Sequence, residues 1–464
     1  MIDEQVLARV LGAALQSGGD FAEVFAEDRR SSSARLEGAK VEELTSGRER
    51  GAGVRVVAGP TTGYAHTADI SEAGLLAAAE AASAAAKAGG GTARVVDLDR
   101  RIPSGGQRVE VRPEEVAKAR KVELLASADE AARRGRGAIT QVSASTSDNR
   151  RRTLVANSDG LLVEDDVTRT RFGVQCVAQG DTGLQTGHRS VGASSGFELF
   201  DRWDVEKLAV EAAETAIAKL AARPAPSGVV PVVLAAGGGG VMFHEACGHG
   251  LEADLVEKDT SVFRGRVGTR VASSLVTLID DATVAGEWGT FAVDDEGAPA
   301  QRTVLIEDGV LSDYMWDLVR ARRAGRLSTG NGRRETYQHL PMVRMTNTFL
   351  APNPGTTLDD LIGDVEHGVF CKTLGGGQVN TATGDFVFGM TEAYLIEGGR
   401  VTQPLRAANL IGNGPQALLD IEGLAEDFDM GWPGTCGKDN QGVPVGMGIP
   451  SVLVAGLTVG GTAR

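Results

Sequence analysis

The chain has 464 residues, of which 42% are hydrophobic and 23% charged, a balance that excludes intrinsic disorder and allows two or three domains with sizeable cores. A formal net charge of -15 argues against duplex nucleic acid as a partner, because phosphate binding requires a basic surface. No apolar run approaches the ~20 residues needed to span a bilayer. We therefore expect a protein that binds neither nucleic acid nor membrane.

The N-terminus and the cysteines indicate where the protein works. The first residues carry acids ahead of an apolar pattern and lack the basic start and long apolar core of a secretory signal, which predicts a cytoplasmic protein. The four cysteines are few and scattered, so a disulfide framework is not expected. An important cysteine in this chain is then a metal ligand or a nucleophile.

The first half of the chain is predicted to alternate helices with strands. Helices are expected at residues 4–16, from a Ser71 cap to about Lys87, and from Pro113 to Arg134 with Gly135 after it. The predicted strands cover residues 21–27, 54–57, 63–66, 140–144, 153–156 and 161–164. Turn signals at residues 157–160 and 180–183 indicate two hairpins, and a helix with one apolar face follows over residues 205–220.

A stretch rich in proline, residues 223–228, has the composition of a linker. We expect an α+β fold in two domains, divided at this stretch. Residues 1–223 would form an N-terminal domain of helices and antiparallel sheet, and residues 229–464 a β-rich C-terminal domain. Arginine clusters at 150–152 and 320–326 are expected to lie on solvated surfaces. The alternative is that they bind substrate carboxylates.

The second domain begins with a predicted strand, the glycine run 237–240 and the sequence VMFHEACGHGLEAD. Two histidines, a glutamate and a cysteine at short spacing are what a divalent metal and a water-activating base require. However, His244 and His249 are five residues apart, roughly 140° around an ideal helix. A local π-type turn would bring them together, and Gly248 and Gly250 would tolerate it. The alternative is two ordinary histidines in a glycine-rich turn.

The glycine run lacks the lysine and hydroxyl residue of a P-loop, so nucleotide binding is not expected. We expect these glycines to let a peptide backbone approach the metal closely. A hydrolytic zinc keeps three protein ligands and one open position for water. Cys247 is adjacent, but three ligands within six residues would be strained. Cys436, flanked by Gly434 and Gly437, is the better candidate for the third ligand.

Seven segments resemble the TldD branch of the TldD/PmbA metallopeptidase family, and they occur in order across almost the whole second domain. They are HEACGHGLEAD (244–254), DDEGAPAQ (294–301), TGNGRRETYQHLPMVRMTNT (329–348), GGGQVNTATGDF (375–386), TEAYLIEGGRV (391–401), CGKDNQGVPVG (436–446) and LTVGGT (457–462). The first domain resembles the family in length and in helix and strand order. Seven such segments in order are difficult to attribute to chance.

The resemblance implies a cytoplasmic zinc peptidase that acts on small or unfolded peptides and carries one zinc ion per chain. It implies that His244, His249 and Cys436 bind the metal, that Glu245 is the general base, and that Cys247 is a packed bystander. It also implies a PmbA-like (TldE-like) partner subunit in a heterodimer, with a homodimer as the alternative. One of these segments also contains side chains that can donate hydrogen bonds to an oxyanion: Tyr337, His339, Arg344 and Asn347. We do not include them among the predicted catalytic residues.

Two other functions remain open at the level of sequence. One is a metal-dependent tailoring hydrolase that acts on a modified peptide or small molecule and rejects ordinary peptides. The other is a non-catalytic scaffold subunit that bears zinc. Retention of Glu245 weighs against the scaffold, because a structural metal site requires no base beside it.

Overall fold

A computed structural model of the chain describes residues 1–86 and 96–461. The first half contains helices and long strands in the alternation expected from the sequence. In chain order these elements are α1 (Glu4–Ala14), β1 (Phe21–Glu37), β2 (Lys40–Ala58), β3 (Thr61–Thr67), α2 (Glu72–Ala85), β4 (Asp99–Arg101), α3 (Lys118–Arg133), β5 (Ile139–Asn157), β6 (Leu161–Gly180), β7 (Gly183–Ala193), α4 (Leu199–Arg202) and α5 (Val205–Ala218).

The first residues of two helices can be compared with the starts that the capping signals predict. The Ser71 side chain accepts the backbone N–H of Gly74, so α2 begins where the sequence predicts; its expected end at Lys87 lies outside the described residues. The helix expected from Pro113 is shorter than predicted. Pro113–Glu115 forms only a 3₁₀ turn, Val116 is extended, and α3 starts at Lys118.

Seven strands form one sheet in the order β3-β2-β1-β5-β6-β4, and β7 also pairs with β6. The separate strands expected at 140–144 and 153–156 are wrong, because β5 is continuous from Ile139 to Asn157. The polar residues between them alternate between the two faces and pair with β1 and β6 throughout. Pairing on both sides satisfies the backbone, so polar side chains do not end the strand.

The two faces of this sheet have different neighbours. One face packs beneath the helices, where apolar side chains of β1, β2, β5 and β6 form cores with α1 and α2 and with α3 and α5. The other face carries the odd-numbered residues of β1, β5 and β6 and lies against the second half of the chain, where Phe25 packs against Tyr337. The sheet is therefore buried on both faces over much of its area.

The second half is richer in strands. Its elements are β8 (Arg223–Pro224), β9 (Gly228–Leu234), α6 (Gly240–Phe243), α7 (Ala253–Glu257), β10 (Leu278–Asp281), β11 (Arg302–Glu307), β12 (Val310–Leu311), α8 (Leu318–Arg323), β13 (Gly332–Arg333), β14 (Met342–Val343), β15 (Asn347–Leu350), α9 (Leu358–Gly363), β16 (His367–Val379), β17 (Asp385–Glu397), β18 (Val401–Arg406), β19 (Ala408–Asn413), α10 (Gly414–Leu419), β20 (Ile421–Leu424), β21 (Gly434–Lys438), β22 (Gln441–Gly448) and β23 (Val452–Gly460). Mixed helix and sheet in both halves confirms the α+β class.

A closed ring of strands holds the segment that bears the histidines. The strands β9, β23, β19, β17 and β16 pair successively, and β16 pairs back to β9. Side chains of this ring, including Leu234, Phe388 and Leu410, share one core with Met242 and Phe243 of α6. Burial of α6 fixes the residues that follow it.

The glycine run packs against protein backbone. A Cβ on Gly238 would lie 2.0 Å from the carbonyl oxygen of Lys372, and one on Gly240 would lie 1.9 Å from that of Met447. Glycine is required because the ring and the β22 strand approach so closely. The expectation that these glycines admit a peptide backbone is therefore wrong at both positions.

We propose that the domain boundary lies in the stretch 223–228. Every strand before it belongs to the seven-stranded sheet, and every strand after it belongs to other sheets, which supports the division. The stretch itself is ordered: β8 pairs in parallel with β18, and Ala225 is fully buried. No helix in the described residues is long and apolar enough to cross a membrane.

Candidate metal centre

A π-helical turn, His244–Gly248, follows α6 directly. The backbone N–H of His249 donates to the carbonyl of His244, five residues earlier, as a π-turn requires. The two rings lie edge to face with centroids 5.3 Å apart. The distortion expected from the five-residue spacing is thus present, and it places both imidazoles on the same side.

Cys436 comes to the histidines from β21, more than 180 residues away in sequence. Its Sγ lies 3.3 Å from Nε2 of His249, and one ligand atom from each of His244, His249 and Cys436 lies within 4.8 Å of the others. The Arg344 guanidinium donates to the carbonyl of Cys436 at 2.5 Å and to that of Gln441 at 3.1 Å. This buried arginine clamps the β21–β22 hairpin in position.

The surroundings of His244 fit a metal ion. Both of its ring nitrogens are buried and have no hydrogen-bond partner among the described residues. An imidazole buried in this way is costly unless another group satisfies its nitrogen. Two imidazoles and a thiolate form a set of donors that zinc accepts. The imidazoles of His244 and His249 outweigh burial and hold the pKa of the Cys436 thiol well below its usual value, which favours the thiolate.

A second layer of charges orients His249. Its Nδ1 lies 2.8 Å from the carboxylate of Glu252, which leaves Nε2 to face Cys436. Lys438 donates to Glu252 at 2.9 Å and to Asp254 at 2.7 Å. Although burial opposes ionisation, His249 and Lys438 lower the pKa of Glu252 to about 2. A carboxylate behind a ligating histidine fixes its tautomer and raises its basicity.

Sequence reasoning did not identify Glu252 as part of the site. The signal was available, since Glu252 lies three residues after His249, at a spacing that places two side chains on one helical face. The contribution of Lys438 could not be found in that way. It reaches the site from the end of the β21 strand, and its position depends on the tertiary fold.

Glu245 occupies the edge of the cluster. Its carboxylate lies 3.7 Å from Nε2 of His249, and its side chain is 29% exposed, whereas those of His249 and Glu252 are 6% and 0% exposed. The carboxylate is therefore next to the donor atoms and reachable by water. That position suits a group that exchanges protons with a reactant.

The other residues that the sequence offered as ligands or oxyanion donors lie outside the cluster. Cys247 is fully buried in the apolar core, and burial raises the pKa of its thiol well above the usual value. Arg344 and Asn347 direct side-chain N–H groups to backbone carbonyls. The hydroxyl of Tyr337 accepts from Gln338, and Nδ1 of His339 bonds to the Thr336 hydroxyl. Each of the four residues therefore makes a structural contact, and a role as oxyanion donor stays a prediction.

A carboxylate beside a buried His-His-Cys cluster is typical of metal-dependent hydrolases. The sequence matches the three domain models of the PmbA/TldA metallopeptidases: domain 1 over residues 22–86, the central domain over 111–220 and the C-terminal domain over 227–461. It is 38% identical over 470 residues to the metalloprotease TldD homolog of Haemophilus influenzae, covering 99% of this chain and 97% of that protein. The chain belongs to the PmbA/TldD metallopeptidase family.

Further relatives extend the comparison. A metalloprotease of Methanothermobacter thermautotrophicus is 35% identical, and the match covers 99% of this chain and all of that protein (100%). Among solved structures, TldE from Thermococcus kodakarensis superposes with a TM-score of 0.78 at 21% identity, over 98% of this chain and 100% of that chain. A structure from Thermotoga maritima gives a TM-score of 0.82, also at 21% identity and over 98% and 100% of the two chains. At this identity the two structures show a shared fold.

Proposed function

We propose that this chain is a zinc-dependent peptidase that hydrolyses peptide bonds in small or unfolded peptides. The observation that carries the proposal is the convergence of His244, His249 and Cys436, with both nitrogens of His244 buried and unpartnered in the described structure. The names of the curated relatives support the peptidase class. In this proposal the three residues bind one zinc ion per chain.

The chain's own groups have distinct roles in the proposed reaction. A bound zinc would supply a Lewis acid for the scissile carbonyl and would lower the pKa of water. Glu245 takes the proton from the attacking water and delivers it to the leaving amine. Glu252 orients His249 through Nδ1, and Arg344 holds the hairpin that presents Cys436.

We also propose a cytoplasmic location and assembly with a PmbA-like or TldE-like partner subunit, with a homodimer as the alternative. The acidic net charge of -15 supports a role away from nucleic acid. The chain shares its fold with TldE, which is compatible with an assembly of two related chains. A peptide is the substrate in either assembly.

The test is cleavage of a mixed pool of unfolded peptides by the purified chain with zinc, read by mass spectrometry. We expect new termini that depend on zinc and are missing with Glu245→Gln. The same assay with a co-expressed PmbA-like partner shows whether a second subunit is needed. Zinc binding without cleavage in both assemblies would refute the peptidase proposal. Turnover of modified peptides alone would identify a tailoring hydrolase, and inactivity towards those as well would identify a scaffold.

A further inference from the structure

A cavity of about 400 Å³ lies between the odd-numbered face of the β1, β5 and β6 strands and the β21–β22 hairpin. Thr435 of the hairpin lines this cavity, whereas its neighbour Cys436 faces the histidines. Successive residues of a strand point to opposite faces. The cavity and the metal centre therefore lie on opposite sides of the same hairpin.

Three arginines in the cavity wall have no carboxylate within 4.0 Å among the described residues: Arg169, Arg171 and Arg333. Arg169 and Arg333 are only 7% and 4% exposed. Arg169 donates to the carbonyls of Trp288 (2.7 Å) and Thr290 (2.8 Å). Arg333 donates to the carbonyls of Met345 (2.5 Å) and Pro444 (2.7 Å). These bonds position the guanidinium groups without neutralising them.

These cations also repel one another. Burial, followed by the charges of Arg333 and Arg151, lowers the pKa of Arg169 to about 9. Burial lowers the pKa of Arg333 to about 10; Asp295 opposes this shift, and Arg344 and Arg151 add to it. An anion bound between such clustered, partly desolvated guanidinium groups would stabilise their positive charge.

Most other charged groups of the wall are paired with one another or with charges outside the cavity. The remaining arginines are paired, Arg29 with Glu49, Arg151 with Asp295 and Arg334 with Glu23. Asp148 is paired with Lys121. Asp165 and Asp294 accept backbone N–H groups, and burial raises the pKa of both carboxyls. The carboxylate of Glu335 accepts the N–H of Gly442.

We propose that this cavity binds a small anion through carboxylate or phosphate oxygens, held by Arg169 and Arg171 from the first half of the chain and Arg333 from the second. Guanidinium groups match the planar geometry of both kinds of oxyanion. The walls contain Trp288 and Phe291, so the body of the ligand meets aromatic surface. Because the three arginines come from both halves of the chain, the bound anion also links the two halves.

The experiment is isothermal titration of the full chain at constant ionic strength with four probes. These are inorganic phosphate, succinate, a short peptide with a free C-terminus and the same peptide with an amidated C-terminus. We expect saturable binding of one anion per chain. Binding of phosphate alone identifies a phosphate site. Binding of succinate and of the free peptide, without the amidated peptide, identifies a carboxylate site.

Variants distinguish anion binding in this cavity from anion binding at the metal centre, because a bound metal ion would also attract anions. Arg171→Gln and Arg333→Gln should each weaken binding by about tenfold or more, because a hydrogen bond to a charged group is lost. The side chain of Arg171 makes no hydrogen bond within the described structure, so its replacement should leave the melting temperature without anion unchanged. Arg101→Gln, at a position 65% exposed, is the matched control. Equal affinity in the wild type and in Arg171→Gln, or no saturable heat with any probe, would overturn the proposal.

Discussion

Glu245 is the residue on which the proposed chemistry depends. It is the acid beside the donor atoms that water can reach, with its carboxylate 3.7 Å from Nε2 of His249. Glu245→Gln keeps the size and polarity of the side chain and removes its ability to accept a proton. We expect turnover to fall by a factor on the order of 10² to 10⁴, the usual contribution of a general base. Zinc content, measured by atomic emission on the same sample, should not change; wild-type turnover would remove Glu245 from this role.

Cys436 and Cys247 offer a matched pair for testing the ligand set. Both are buried, but of the two only Cys436 belongs to the cluster in the described structure, with its sulfur 3.3 Å from Nε2 of His249. Cys436→Ser replaces the proposed thiolate ligand with a hydroxyl that does not ionise at neutral pH, so the affinity for zinc should fall strongly. Cys247→Ser is the control and should bind zinc like the wild type. Competition with a chelating dye measures both, and full zinc occupancy in Cys436→Ser would refute the assignment.

At the scale of elements, the π-turn was predictable and the β-hairpin only partly so. His244 and His249 are five positions apart, so an ideal helix could not direct both side chains at one metal ion, and this constraint is contained in the sequence. Cys436 could be selected because glycines flank it in a motif that resembles the family. The position of Arg344, which holds the hairpin through two carbonyls, could not be predicted. Such contacts arise only when distant strands are already paired.

Lys438, at one end of the hairpin strand β21, should affect the metal affinity of the site through Glu252. Glu252→Gln removes the charge that pairs with Lys438 and weakens the acceptor for Nδ1 of His249. Loss of such an outer partner costs about 10- to 100-fold in metal affinity. The matched control is Asp254→Asn, because Asp254 also binds Lys438 but does not contact His249 in the described structure. If both variants lose the same affinity in a zinc titration, orientation of His249 is not the cause.

For the whole molecule, charged residues join the halves of the chain. The arginines at 150–152 were expected to form a solvated face. This is wrong for Arg150 and Arg151, whose side chains are 18% and 19% exposed: Arg150 pairs with Glu114 and Asp166, and Arg151 pairs with Glu27 and Asp295. Alternation along a strand places Arg151 on the face opposite to Arg150 and Arg152. The sequence does not contain the reason that the odd-numbered face is buried, because its cover comes from distant residues: Asp295, which pairs with Arg151, is 144 positions away.

Glu23 lies at the centre of this buried network. Its carboxylate accepts from Arg334 at 2.5 Å and from Arg55 at 2.7 Å, and Arg55 also pairs with Glu296. Glu23 and Arg334 are both fully buried, so removal of one charge leaves the other without compensation.

We therefore expect Glu23→Gln to lower the free energy of unfolding by about 3 kcal/mol or more. The matched control is Arg9→Gln, which breaks an ion pair with Glu72 whose side chains are 51% and 41% exposed. Because water solvates both charges there, the change should be small by comparison. Urea unfolding followed by circular dichroism measures both variants. An equal, small effect at the two sites would mean that water or local rearrangement compensates Arg334, and that apolar packing at contacts such as that of Phe25 with Tyr337 holds the halves together.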